Sequence, residues 1–263
     1  RIDLKAKTVE TIAGTGKQVY GSDSGPARKT PLNSPWDVIE KVGTLYIAMA
    51  GPHQIWKLEL DLNAVSIFAG SGREARLDGS LAESGFAQPS GIASIDNTLY
   101  VADSESNIIR AIDLVGGTVK TVVGGDLFEF GDVDGSGDDV RLQHPLGVVS
   151  LGDKLLIADT YNHKIKELDP KRERVTSFLG TGKPGQADGS SPSFYEPGGL
   201  TVANGKLYVA DTNNHAIRVV DLNTKQTSTL RLSGLTPPTK NMQALENTDG
   251  PNAEETKTAA QEL

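Results

Sequence analysis

Cysteine is absent from all 263 residues, which excludes a disulfide frame, a thiolate zinc site and a redox dithiol within this chain. A basic excess is missing too. Twenty-six Lys and Arg stand against 34 Asp and Glu, a formal net charge of −8, which argues against a general polyanion-binding face because counterion release needs a cationic one. No run approaches the ~20 apolar residues of a membrane-crossing helix, and Arg1-Ile2-Asp3-Leu4 does not read as a signal peptide. The sequence contains no Gly-x-Ser-x-Gly elbow, no phosphate-binding P-loop and no dinucleotide fingerprint. It also lacks an initiator Met, as expected of a processed or excised piece. These absences leave compartment open and remove the commonest enzyme signatures.

What the chain has is repetition. Leu99-Tyr100-Val101-Ala102-Asp103-Ser104, Leu155-Leu156-Ile157-Ala158-Asp159-Thr160 and Leu207-Tyr208-Val209-Ala210-Asp211-Thr212 are near copies, and Leu45-Tyr46-Ile47-Ala48-Met49-Ala50 is a divergent fourth. Each follows a Pro-containing turn at Pro35, Pro89, Pro145 or Pro197, giving spacings of 54, 56 and 52 residues. Such periods indicate solenoids, propellers or arrays. Within a unit, turn residues such as Asn204-Gly205 separate short apolar runs, and a glycine-rich connection leads to the next copy. Four short antiparallel strands per unit make a propeller blade. The third run alternates only in part, because Arg110 shares its face with Ile112 and Arg218 with Val220.

The predicted fold is therefore all-β, with blades at about 32–70, 86–125, 142–182 and 194–230 and a partial blade at 1–14. Ile2-Asp3-Leu4 matches Ile112-Asp113-Leu114, so the chain opens inside a third strand. Either these strands complete a blade begun elsewhere, or further blades precede them; the second reading is preferred. Residues 233–263 read as a polar, disordered tail or linker.

Asp159-Thr160-Tyr161-Asn162-His163-Lys164-Ile165 and Asp211-Thr212-Asn213-Asn214-His215-Ala216-Ile217 resemble the NHL repeat, over nearly all of residues 1–230. Ser34-Pro35-Trp36-Asp37-Val38, Phe130-Gly131-Asp132-Val133-Asp134-Gly135 and Glu196-Pro197-Gly198-Gly199-Leu200 resemble the thioredoxin-like/NHL subfamily. That resemblance implies a six-bladed ring in a larger protein, next to a thioredoxin-like domain. It also implies a redox-associated or photoprotection-regulating role, in the thylakoid lumen for a plant or algal source and otherwise in a cytoplasmic or bacterial setting. No thioredoxin part lies in this chain, so redox activity is not assigned to it.

Candidate sites follow from the copies. His53, His163 and His215 share one repeat position, with Asn107 in the remaining copy; quasi-symmetry spreads them around a ring, which suits turn architecture better than convergent zinc ligation. Asp103, Asp159 and Asp211 end the second strand and are expected to accept backbone N–H bonds in the turn. Asp132, Asp134, Ser136 and Asp138 have the oxygen spacing of a calcium loop, but Gln143 stands where the bidentate acid belongs. Arg110, Lys166 and Arg218 recur on the third strand with Trp56 at the same place; with Met49 they form a candidate partner surface. The expected function is a non-catalytic protein-interaction propeller with no cofactor, no nucleic acid and no membrane insertion. Its partner would be another protein or a neighbouring thioredoxin-like domain. A metal-dependent propeller lyase or hydrolase is the alternative, and an RNA-binding propeller the second.

Overall fold

In the computed structural model, which describes residues 1–21 and 24–234, each repeat folds as one antiparallel sheet. Blade I comprises Pro35–Lys41, Thr44–Met49, Gln54–Glu59 and Ala64–Ala69, paired in that order. Blade II uses Pro89–Ile95, Thr98–Asp103, Ile108–Asp113 and Thr118–Val123. Blade III uses Gly147–Leu151, Lys154–Asp159, Lys164–Asp169 and Arg174–Leu179, and blade IV Pro197–Ala203, Lys206–Asp211, Ala216–Asp221 and Thr227–Thr229. This is the predicted all-β propeller, four antiparallel blades in sequence order. Ile2–Asp3 and Thr8–Val9 make a separate exposed two-stranded ladder, and the tail expectation for 233–263 falls almost wholly outside the described residues.

The first strands of neighbouring blades pack on one another and so occupy the inner side. Three apolar clusters fill the spaces between blades. Ala48, Ile55 and Ala69 of blade I meet Phe86, Ile92, Leu99 and Val101 of blade II. Ala102, Ile109 and Val123 meet Val148, Leu155 and Ile157 of blade III, and Ala158, Ile165 and Leu179 meet Phe194, Leu207 and Val209 of blade IV. A middle blade thus buries both faces. That is why its third strand, Ile108 to Ile112, is buried throughout and shows so weak a period of two.

The long connections add one element that the strand count omitted. Gly25–Pro26, Gly79–Ser80 and Gly135–Ser136 each pair with the outer edge of a fourth strand, and Gly189 bridges to Thr227 in the same way. The recurrent Asp-Gly step starts this short fifth strand, which covers the outer edge of its blade.

Candidate functional site

The repeated polar residues are joined to one another inside the blades. Arg110 is fully buried; its guanidinium donates to Asp78 at 2.9 Å and to the carbonyls of Gly85 and Leu77, and Asp103 lies 3.7 Å away. Arg218 repeats this with Asp188 at 2.6 Å and Asp211 at 2.8 Å. Buried Lys166 holds Asp132 at 2.6 Å, Asp134 at 2.8 Å and Asp159 at 3.8 Å. The partner surface expected of Met49, Trp56, Arg110, Lys166 and Arg218 is therefore corrected: all five side chains are at most 1% exposed. They face into the sheet stack, where a cation is tolerable only because carboxylates meet it.

Each carboxylate has a defined task. Oδ1 of Asp103, Asp159 and Asp211 accepts the backbone N–H of Ala87, Gln143 and Tyr195, sixteen residues upstream, while Oδ2 receives Ser106, Asn162 and Asn214 from the adjoining turn. Their N–H partner is the start of the blade rather than the turn itself. Burial pushes the Asp103 carboxyl up to about 6 despite Arg110, and Asp159 to about 7 despite its bonds from Gln143 and Asn162. Burial alone would also depress Lys166, but its bonds to Asp132 and Asp134 hold it above the ordinary lysine range. Asp78, Asp134 and Asp188 of the Asp-Gly steps serve two elements. They take the cation and the backbone N–H of Thr121, Ser177 or Thr229 on the fourth strand. The ladder slips by one residue beside Arg110 and Lys166, and this carboxylate takes an N–H bond at the slip.

Asp132 and Asp134 are thus occupied by Lys166, with Lys164 on Asp132 as well, and Asp138 pairs with Arg76. Ser136 lies in the short fifth strand of blade III. Among the described residues, no three His, Cys, Asp or Glu side chains are placed to hold a metal ion.

The histidines link blades. His53, Asn107, His163 and His215 all adopt left-handed backbone, φ 55°, 58°, 55° and 49°, a region that Asn and His enter more readily than most residues. Nδ1 of His53 accepts the N–H of Gln88, the Asn107 side-chain oxygen accepts that of His144, and Nδ1 of His163 accepts that of Glu196. In each case the donor is the residue before the next blade's proline. Ser104 and Thr160 add a second link, donating to the carbonyls of Pro145 and Pro197.

A groove of about 360 Å³ opens among the inner strands, lined by Trp36, Asp37, Ser90, His144, Leu146 and the glycines 147, 198 and 199. Close approach forces Gly147 and its blade II counterpart Gly91: a Cβ on Gly147 would collide with the Gly198 carbonyl oxygen, and one on Gly91 would lie 2.7 Å from that of Leu146. Blade I departs here, with Trp36-Asp37 where the others carry Ser90-Gly91, Leu146-Gly147 and Gly198-Gly199. Trp36 is 49% exposed. Asp37 accepts the N–H of Ile92 at 3.0 Å and of Val38 at 2.8 Å, and burial raises its pKa nonetheless. The His144 ring stacks on Tyr161 with centroids 4.6 Å apart, 3.7 Å from the Glu105 carboxylate. The groove thus offers an aromatic plate, a partly desolvated carboxylate and a stacked imidazole. Sequence reasoning passed over Trp36, Asp37 and His144 as site residues; the signal was that these positions do not repeat.

A family model described as "NHL repeat" matches residues 194–220. The chain is 47% identical over 266 residues to "Protein SUPPRESSOR OF QUENCHING 1, chloroplastic" of Arabidopsis thaliana, covering 93% of this chain and 25% of that protein. It is 45% identical over 267 residues to "NHL repeat-containing protein 2" of Homo sapiens, covering 88% and 37%. The chain therefore spans about a quarter to a third of these relatives. Among solved structures, a catalytically inactive virginiamycin B lyase from Staphylococcus aureus superposes with TM-score 0.52 at 16% identity, over 76% of this chain and 56% of that one. This last likeness concerns the fold alone.

Proposed function

Because the chain belongs to the NHL-repeat β-propellers, we propose that it is a non-catalytic interaction module, which positions a partner or a neighbouring thioredoxin-like domain through the inner groove at Trp36, Asp37 and His144. One observation carries this reading: the repeated ionisable residues are spent on one another and on backbone groups inside and between blades. Trp36 and Asp37, in which blade I differs from its neighbours, face an open groove together with His144. An exposed Trp beside a carboxylate suits a protein segment that brings an apolar or cationic side chain. The chloroplast name of one relative supports a plastid setting for a plant or algal source, and its description as a suppressor of quenching agrees with a photoprotection-regulating role.

The alternative, a metal-dependent lyase or hydrolase, would need free imidazoles, whereas Nδ1 of His53 and of His163 already accepts an amide N–H. RNA binding finds little support in a chain of net charge −8. Calorimetric titration of the chain with a recombinant thioredoxin-like domain of this family tests the proposal. Saturable binding that Trp36→Ala weakens at least about tenfold, the cost of a modest interface contact, is expected. Absence of binding, or substrate turnover by the chain alone, would overturn it.

A further inference from the structure

Blade I replaces the buried ion set as a whole. Met49 stands at the place of Asp103, Trp56 at that of Arg110, and Ser24 at that of Asp78, its hydroxyl accepting the Ile67 N–H at 3.3 Å. The neighbouring positions change with it. Asn33 occupies the place of Ala87, Gln143 and Tyr195, and Gly51 that of Glu105, Tyr161 and Asn213. Three of these substituted residues, Asn33, Gly51 and Trp56, border a pocket of about 460 Å³, together with His53, Gln54 and Tyr20, a size suited to a small ligand.

Its polar groups form an unfinished set. The Trp56 indole N–H donates to Gln54 Oε1 at 3.0 Å, and Gln54 Nε2 donates to the Gly70 carbonyl at 3.0 Å, so both are satisfied. The Asn33 amide is not. Its side-chain oxygen accepts from Gln18 at 2.8 Å and from Ser34 at 3.1 Å, which fixes the amide, yet Nδ2 has no partner although Asn33 is only 1% exposed. A buried donor left without a partner is destabilising, and a ligand acceptor would relieve it. Glycine at 51 preserves the amide's seat, since any Cβ there would collide with it. His53 supplies a second donor: its Nδ1 accepts the Gln88 N–H, which leaves the proton of the neutral ring on Nε2. Among the described residues no acidic side chain lines the pocket, and Val19, Pro52, Trp56 and Ile67 give it apolar walls.

We propose that this pocket binds a carbonyl-type acceptor carried on a short apolar group, as in a peptide amide or a terminal carboxylate, with Asn33 Nδ2 and His53 Nε2 as its donors. The site adjoins the inner groove, since Trp36 also borders a recess with Tyr20, Gly51 and His53, but it does not rest on the interaction reading. N-acetyl-valinamide and N-acetyl-valine are the probes, titrated into the ¹⁵N-labelled chain. The Trp56 indole reports on this pocket and the Gly198 and Gly199 backbone amides on the inner groove, so these resonances separate the two sites. Saturable shifts of the Asn33 side-chain amide and the Trp56 indole are expected with one or both probes, the Gly198 and Gly199 amides staying still. A response to both identifies the carbonyl in general, and a response to N-acetyl-valine alone the terminal carboxylate. Asn33→Ala, which installs the residue that blade II carries, should weaken binding at least about tenfold while the melting temperature holds or rises. No saturable shift with either probe, or equal affinity in Asn33→Ala, would overturn the assignment.

Discussion

Lys166→Met should cost a large fraction of the chain's stability, and the size of that cost should depend on pH in a defined direction. The ammonium is fully buried among Asp132, Asp134 and Asp159. Asp132 and Asp134 reach the rim, so water takes over much of their charge when Lys166 is removed. Asp159 cannot be hydrated in this way, being 0% exposed. At 3.8 Å and an effective dielectric constant of about 20, its attraction to Lys166 is about 4 kcal/mol. Removing one partner of such a pair costs about 3–5 kcal/mol. At pH 8, above the value of about 7 at which Asp159 titrates, the loss is capped near the lower end of that range, because the variant can protonate the carboxyl for about 1.4 kcal/mol per pH unit above 7. Removing Lys166 raises the Asp159 pKa further, so below pH 6 a proton neutralises the carboxyl and the loss should fall to about 1–2 kcal/mol, mostly lost packing. Blade I shows the way out, since Met49 and Trp56 fill the same places without charge beside Leu32, the counterpart of Leu142. Asp159→Met with Lys166→Trp should therefore recover about 2–4 kcal/mol relative to the summed single variants. Urea unfolding of the wild type, the three singles Lys166→Met, Asp159→Met and Lys166→Trp, and the double at pH 8 and pH 5.5 reads all of this. Additivity within about 0.5 kcal/mol, or a Lys166→Met cost that grows on acidification, would refute the reasoning.

Three further outcomes are expected. His163→Asn should be nearly neutral because Asn107 does the same work in blade II, whereas His163→Leu, which cannot accept the Glu196 N–H and is strained at φ 55°, should lose about 2–4 kcal/mol by denaturant melts. Gly147→Ala, pressed on the Gly198 carbonyl, should lose at least about 1–3 kcal/mol and broaden inner-groove resonances in NMR spectra. The raised Asp103 and Asp159 bind protons in the folded chain that the unfolded chain releases above about pH 4, so their stabilisation is present at low pH and fades as pH climbs through about 6 and 7. The depressed Asp132, Asp134 and Asp188 act oppositely, losing their contribution as pH falls below the usual carboxylate range. The melting temperature should accordingly be higher at pH 5.5 than at pH 8 and drop below pH 4; a profile rising from 5.5 to 8 would contradict this assignment.

The blades were legible because four copies of one strand pattern, punctuated by prolines, leave few other folds. The fifth strand was hidden in two-residue pieces such as Gly79–Ser80, too short for any period, although the recurring Asp-Gly marked it. The third-strand cations were misread for a physical reason. In a singly buried sheet, Arg110 beside Ile112 would suggest a wet face, but here the next blade covers that face as well. A finer signal was available in the covarying copies. Arg110 and Arg218 accompany Phe86 and Phe194, over whose rings they lie at 5.2 and 5.4 Å, whereas Lys166 and Trp56 accompany Leu142 and Leu32. Joint change marks contact, and here it marks the interior. The inner groove was harder to see, because only folding brings Trp36 and His144 to one place.

The central claim is a division of labour: repeated polar residues build the propeller, and non-repeating ones at its inner groove recognise a partner. It is tested most directly by measuring two quantities on two variants, the melting temperature and the Kd for a thioredoxin-like domain. Trp36→Ala should weaken binding at least about tenfold and leave the melting temperature within a degree or so, while Lys166→Met should lower the melting temperature by about 6–15 °C and leave Kd unchanged in the remaining folded protein. The opposite pattern, binding lost with Lys166 and untouched by Trp36, would contradict the account.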